Sequence, residues 1–253
     1  MKKTIRTGLI LLVMMISFVA MLNVGAVDAQ AAKKKPKKTT QASTDETLNA
    51  LNAYLNALIK MGGSAEDIAV AQQAVAARQA QLDLLAANAE AVAASQGVIF
   101  VGDSRTVQMQ GAVGLSAAKF IAENSKGYAW FKDVAIPMID ANVGKGSKIV
   151  INLGVNDPGN IDNYIALVNA KAFEWNAKGA KVYYATVNPV SENPYTSQTQ
   201  VDYFNSKLLP GLVGVGIIDT NTFLKTNGYA LVDGLHFTDA TYVKLYHYIL
   251  SNI

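Results

Sequence analysis

The chain of 253 residues carries 22 basic and 19 acidic side chains, a formal charge of +3, and no cysteine. Eight of the basic residues but only one acidic residue, Asp28, precede residue 39, so the remaining body is mildly acidic, which argues against nucleic acid as a partner. The missing thiol excludes disulfides, thiolate catalysis, a cysteine-linked lipid anchor and cysteine-ligated metal, and is compatible with export.

Lys2, Lys3 and Arg6 precede an apolar run from Gly8 to Leu22, and Ala29-Gln30-Ala31 follows with small residues at cleavage spacing. This pattern predicts a secretory signal peptide over 1–31 and a secreted or cell-wall-associated protein. Extended to Ala26, the run approaches spanning length, so an uncleaved membrane anchor is the other reading. Residues 32–46, with Lys33-Lys34-Lys35-Pro36-Lys37-Lys38, read as a basic, solvated linker. It is either a spacer or a contact to anionic wall polymer or lipid head groups.

Residues 47–95 predict a helical hairpin. Leu48, Leu51, Leu55 and Leu58 share a stripe, Gly62-Gly63 breaks it, and Ser64 with Asp67 can cap a second helix. Ile68, Val75, Leu82 and Ala89 then recur every seventh residue, with Arg78 interrupting the seam. The hairpin is either a spacer packed on itself or on the rest of the chain, or a partner-binding arm.

From 96 to 253 the pattern alternates. Strands are expected at Gly97–Phe100, Ala118–Ala122, Ser147–Leu153, Ala180–Val187 and Val215–Asp219, with helices near 107–115, 131–143, 161–178, 199–209 and 239–251. Strictly alternating strands and helices imply parallel pairing through right-handed crossovers, hence a three-layer αβα sandwich. Ligands on such sheets bind at the carboxyl ends of the strands. Ser104, Gly127, Gly154-Val155-Asn156-Asp157 and Asn188 all follow predicted strands at that edge.

A serine at a strand-to-helix turn has an exposed hydroxyl and an N–H near a helix N-terminus, but it needs a base and a group to orient that base. Of the two histidines, His247 lies mid-helix among apolar residues and reads as structural. His236 lies in a loop, with Asp233 three residues before it and able to curl back onto the imidazole. Donors for an oxyanion are the Ser104 N–H, Gly127 and the Asn156 amide. Asn156 can equally form an Asx-turn and Gly127 be an ordinary loop glycine, with Gly111 or Gly114 as alternatives. Asp103 and Asp157 read as turn-holding carboxylates, with Asp157 as a second possible partner for His236. Tyr128, Trp130, Asn188 and Tyr195 either line a pocket or belong to the core.

Gly102-Asp103-Ser104, Gly127, Gly154-Val155-Asn156-Asp157 and Asp233-Gly234-Leu235-His236, in that order, resemble the four blocks of the SGNH (GDSL-type) hydrolases. The resemblance covers roughly residues 97–253. It implies a flavodoxin-like, mostly parallel five-stranded sheet and ester hydrolysis or acyl transfer without cofactor or metal. It also implies Ser104, Asp233 and His236 as catalytic residues and Ser104, Gly127 and Asn156 as the oxyanion hole. Arg105 stands where the family name has leucine; it is expected either to face substrate or to lie in solvent. The 47–95 hairpin has no counterpart in the resemblance. The expected activity is that of an exported serine esterase removing small acyl groups, acetyl foremost, from cell-wall or extracellular carbohydrate. The alternatives are an O-acyltransferase using the same site and a non-catalytic wall-associated binding protein.

Overall fold

The structure, a computed structural model, describes residues 45–253; the expected signal peptide and nearly all of the basic linker lie outside the described residues. The described chain forms two compact units that divide after Ala86. In the first, α1 (Glu46–Lys60) is capped by Asp45, whose carboxylate accepts from the Leu48 N–H. Its apolar stripe buries Leu48, Leu51 and Leu58. The second helix, α2 (Ala65–Ala94), starts at Ser64, whose Oγ accepts from the Asp67 N–H at 3.1 Å. Arg78, the interruption in the α2 seam, reaches the Asp45 carboxylate at 2.7 Å. The residues of α2 from Ala87 onward belong to the second unit.

That second unit holds five strands, β1 (Val98–Gly102), β2 (Lys119–Ala122), β3 (Lys148–Asn152), β4 (Lys181–Ala185) and β5 (Gly216–Ile218). They are ordered β2-β1-β3-β4-β5, and every pairing is parallel. The order is that of the flavodoxin-like sheets, which place a ligand where the winding reverses, between β1 and β3. In register, Gly102 at the end of β1 pairs with Asn152 at the end of β3, so the loops that leave these two strands rise side by side.

Alternation along β1 divides the core. Ile99 and Val101 point to one face, with Phe131 and Ile139 from the helical stretch α4 (Tyr128–Trp130, a π-helical turn Phe131–Ala135, and Ile136–Asp140). Tyr164, Val168 and Trp175 of α5 (Ile161–Ala177) and Phe204 and Leu208 of α6 (Gln198–Gly211) complete that layer. Val98 and Phe100 point to the other face, against Met109 of α3 (Ser104–Val113), Leu224 of α7 (Thr220–Asn227) and Tyr242, Leu245 and Ile249 of α8 (Asp239–Leu250). The chain winds one way from β1 to β2 and the other way thereafter, so right-handed crossovers put α3 on one side and α4, α5 and α6 on the other. The three-layer αβα sandwich expected from the alternation is the observed architecture. The sequence pattern missed α7, which reads as a loop. Of its eight residues, TNTFLKTN, Leu224 is the one fully buried large apolar side chain, and Asp219 starts the helix by accepting from the Thr222 N–H. Thr238 sits at the start of α8 as expected, but its side chain makes no cap bond; its Oγ1 lies 3.2 Å from Thr241 Oγ1.

Candidate active site

The Ser104 turn is set by its neighbours. β1 ends at Gly102, and Asp103 caps α3 with a carboxylate that accepts from the Arg105 N–H at 3.0 Å. The Asp103 carbonyl takes the Thr106 and Val107 N–H groups, which leaves Ser104 as the first helical residue. Its N–H has no acceptor within its own helix and lies at the positive end of the helix dipole. Asp103 is buried; that burial pushes its carboxyl up to about 6, against the pull of the Arg105 cation.

The loop before α8 carries His236, the candidate base. An antiparallel bridge between Leu231 and Phe237 closes it. Within it Gly234 takes φ +79, and a Cβ there would run into the Glu192 carbonyl. Its own carbonyl accepts from the Ser191 N–H at 2.8 Å. The tight turn folds Asp233 back: Oδ1 accepts from the N–H groups of Leu235 at 3.0 Å and His236 at 2.7 Å. Oδ2 lies 2.7 Å from His236 Nδ1. His236 Nε2 lies 2.9 Å from Ser104 Oγ. With Nδ1–H donating to the carboxylate, Nε2 is the ring nitrogen left to accept the hydroxyl proton. The bonds from the His236 ring and backbone hold the Asp233 carboxyl down at about 2, although its side chain is 53% exposed.

The third wall comes from the loops after β2 and β3. Asn156 gives one amide N–H to the Lys126 carbonyl at 2.9 Å; a carboxamide carries two. Asp157 accepts from the Tyr128 N–H at 2.7 Å, Tyr164 OH at 2.9 Å and Asn160 Nδ2 at 3.0 Å. It therefore ties the two loops together, while Asp233 is the carboxylate on His236. Gly127 starts α4, and a Cβ there would enter the Asp157 carboxylate, so the absent side chain serves this close approach. In the same loop Ser125 adopts φ 59, the one non-glycine with positive φ among the described residues.

These loops enclose a cleft of about 510 Å³ lined by Ser104, Gln108, Asn124, Ser125, Asn156, Tyr195, Leu235 and His236. Gly127 is not among the lining residues. Gln108, Asn124 and Ser125 escaped the sequence reading, although Gln108 lies four residues after Ser104, on the same helical face. Tyr195 is 75% exposed at the rim, whereas Tyr128 and Trp130 pack against the core. Asn188 does not line the cleft; it is buried, with both polar atoms of its carboxamide unbonded. His247, on α8, stacks edge-on to Tyr246 at 5.8 Å. Among the described residues no three His, Asp or Glu side chains gather as metal ligands.

Arg105 corrects both expectations held for it. It neither faces substrate nor lies in solvent; it is 2% exposed. Its guanidinium donates to the carbonyls of Leu235 at 2.9 Å, Asn188 at 3.0 Å and Pro189 at 3.1 Å and lies 5.0 Å from the Phe237 ring centroid. Burial lowers its pKa, and the Asp103 carboxylate opposes that shift.

No protein-family model and no curated protein sequence matches the chain. Solved structures do. A protein of Slackia heliotrinireducens described as an SGNH hydrolase matches at 14% identity and TM-score 0.48, over 61% of this chain and 97% of its own. A member of the lipolytic G-D-S-L family from Veillonella parvula matches at 15% and 0.47, over 61% and 96%. The catalytic domain of peptidoglycan O-acetyltransferase A from Streptococcus pneumoniae matches at 18% and 0.46, over 62% and 92%. The chain is thus similar to proteins described as SGNH and G-D-S-L hydrolases and acyltransferases.

Proposed function

We propose that the unit beginning at Ala87 is a serine esterase working without a cofactor. The observation that carries this reading is the relay Ser104 Oγ–His236 Nε2, 2.9 Å, and His236 Nδ1–Asp233 Oδ2, 2.7 Å, at the carboxyl edge of the sheet. Ser104 Oγ attacks the ester carbonyl as His236 takes its proton, while Asp233 holds the tautomer and stabilises the imidazolium. The Ser104 N–H, the second Asn156 amide N–H and the loop that carries Gly127 receive the oxyanion. His236 then protonates the departing alkoxide, leaving an acyl-serine. Water, deprotonated by His236, releases the acid and restores the hydroxyl.

The substrate we propose is a short acyl ester, acetyl foremost, on extracellular or cell-wall carbohydrate. Gln108, Asn124, Ser125 and Asn156 give the cleft a polar lining that suits a hydroxyl-rich alcohol, and the exposed Tyr195 ring offers a face for a sugar. The basic and apolar pattern of residues 2–31 supports export, and Lys33–Lys38 supports contact with anionic polymer.

Ser104→Ala tests the assignment: p-nitrophenyl acetate turnover is expected to fall by about 10⁴-fold or more with an unchanged melting temperature, and wild-type turnover in that variant refutes it. Acetate released from wall fractions, set against medium-chain synthetic esters, tests the substrate. Added glycan that captures the acyl group in competition with water would make the enzyme a transferase.

A further inference from the structure

The residue after the nucleophile is a buried cation whose bonds all end on two loops other than its own. Leu235, Asn188 and Pro189 are all buried, and their carbonyls converge on one guanidinium. The planar fork of arginine presents several donors in fixed directions, which a lysine ammonium cannot reproduce. The Leu235 carbonyl belongs to the peptide unit whose N–H is that of His236, and that N–H is held by Asp233 Oδ1 at 2.7 Å. The peptide entering His236 is therefore gripped at both ends, by Asp233 on its hydrogen and by Arg105 on its oxygen. Phe237, the residue after His236, lies against the same guanidinium. Arg105 itself is anchored at the start of α3 by its backbone bond to Asp103, one residue from Ser104.

We infer that Arg105 is a positioning residue that latches the His236 loop to the first turn of α3 and so sets the distance between His236 Nε2 and Ser104 Oγ. The inference rests on the esterase reading for its consequence in rate, but the latch itself is a statement about loop geometry. The two reacting side chains come from segments 132 residues apart. Besides the catalytic hydrogen bond, the fork and a relay from the Phe237 N–H to Tyr242 OH, which donates to Gln108 Oε1, at 3.2 and 3.0 Å, join those segments; of the two, only the fork bonds the peptide that enters His236. The Pro189 and Asn188 bonds extend the latch to the loop after β4, whose Ser191 N–H holds the Gly234 carbonyl. Arg105 thus fixes the Asp233–His236 turn directly and through its neighbour.

A misplacement of about 1 Å between reacting groups costs on the order of 10²-fold in rate. In the full chain, Arg105→Met is expected to lower kcat for p-nitrophenyl acetate by about 10²-fold with KM changed less than about threefold. Arg105→Lys, which keeps the charge and loses the fork, is expected to remain at least about tenfold down. Val168→Ala, a cavity in α5 on the opposite layer, is the control for lost stability. Measured well below its melting temperature, it is expected to keep wild-type kcat.

The deciding readout is the pair of His236 ring ¹⁵N shifts in ¹⁵N-histidine-labelled protein. Wild type and Val168→Ala are expected to show the proton fixed on Nδ1, and Arg105→Met to show the two tautomers averaged. An Arg105→Met spectrum that coincides with wild type overturns the latch, whatever its rate; so does an Arg105→Lys variant with wild-type kcat. A wild-type protein that turns over no ester and takes up no fluorophosphonate overturns the esterase reading alone, and the nitrogen shifts still decide the latch.

Discussion

In the helical segment that ends at Ala86, α1 buries three leucines while Ala71 is the one buried residue of α2, and Leu84 and Leu85 stand exposed. In the unit that begins at Ala87, all five residues of β1 are buried, and Trp175, Tyr164, Tyr184 and Phe204 are enclosed completely. Length explains part of the contrast. Fifteen helical residues span about 22 Å and thirty about 45 Å, so α1 can cover only half of its neighbour. The heptad stripe of α2 is accordingly half-buried at Ile68, Val75 and Leu82 and exposed at Leu85 and Ala89. A sheet buried on both faces has no such shortfall, since each residue of a strand meets one layer or the other. Side chains that must hold a fixed geometry therefore belong to the second unit, and all the site residues lie there.

The comparison can be broken most severely at the site. Asp233→Asn is expected to lower kcat by about 10⁴-fold, since the imidazole loses the partner that fixes its tautomer. The same variant has a pH signature in stability. The folded Asp233 carboxyl sits at about 2, below the ordinary value of about 3.9, so its ionised form favours the folded state. That contribution is complete above about pH 4 and is lost as the pH falls toward 2. The melting temperatures of wild type and Asp233→Asn should differ above pH 4 and converge near pH 2; a constant gap would detach the carboxylate from the loop's stability.

Core substitutions come next. Trp175→Ala removes a fully enclosed ring and the bond from its Nε1 to Asp140 at 2.7 Å, and is expected to cost about 3–5 kcal/mol in denaturant unfolding. Leu85→Ala, in the exposed half of α2, is expected to change stability by less than about 0.5 kcal/mol. Equal losses would erase the contrast between the units.

Arg78→Gln is expected to have a similarly small effect. Its partner Asp45 caps α1 and also holds the Leu48 N–H, glutamine can still donate to that carboxylate, and ion pairs near the surface are worth about 0–1 kcal/mol. Esterase activity should be unchanged.

The sequence by itself determined the layers and pointed to the residues of the candidate site. Apolar β-branched runs at 98–101 and 148–151 alternate with helical stretches, and that order permits few arrangements besides a parallel sheet with its ligands at one edge. Asp233 and His236 were legible for a local reason, because three residues with a glycine between them can close on themselves. Ser104 was legible because a serine between a buried strand and a helix has little choice of direction.

Only the tertiary structure decided what depends on partners far along the chain. Arg105 reads as a cation facing substrate or solvent because nothing nearby in sequence shows that the carbonyls of residues 188, 189 and 235 will meet it. The Asp157 carboxylate that would meet a side chain at Gly127 lies thirty residues further along the chain, out of reach of a local reading. α7 is not legible because a short polar helix is held by contacts far along the chain, with Thr220 and Asn221 bonded to Thr186 and Val187, Phe223 stacked on Tyr248 and Leu224 in the core, and not by its own periodicity. Local chemistry can be read along the chain, whereas the burial of a charge or a glycine is settled by what the fold places against it.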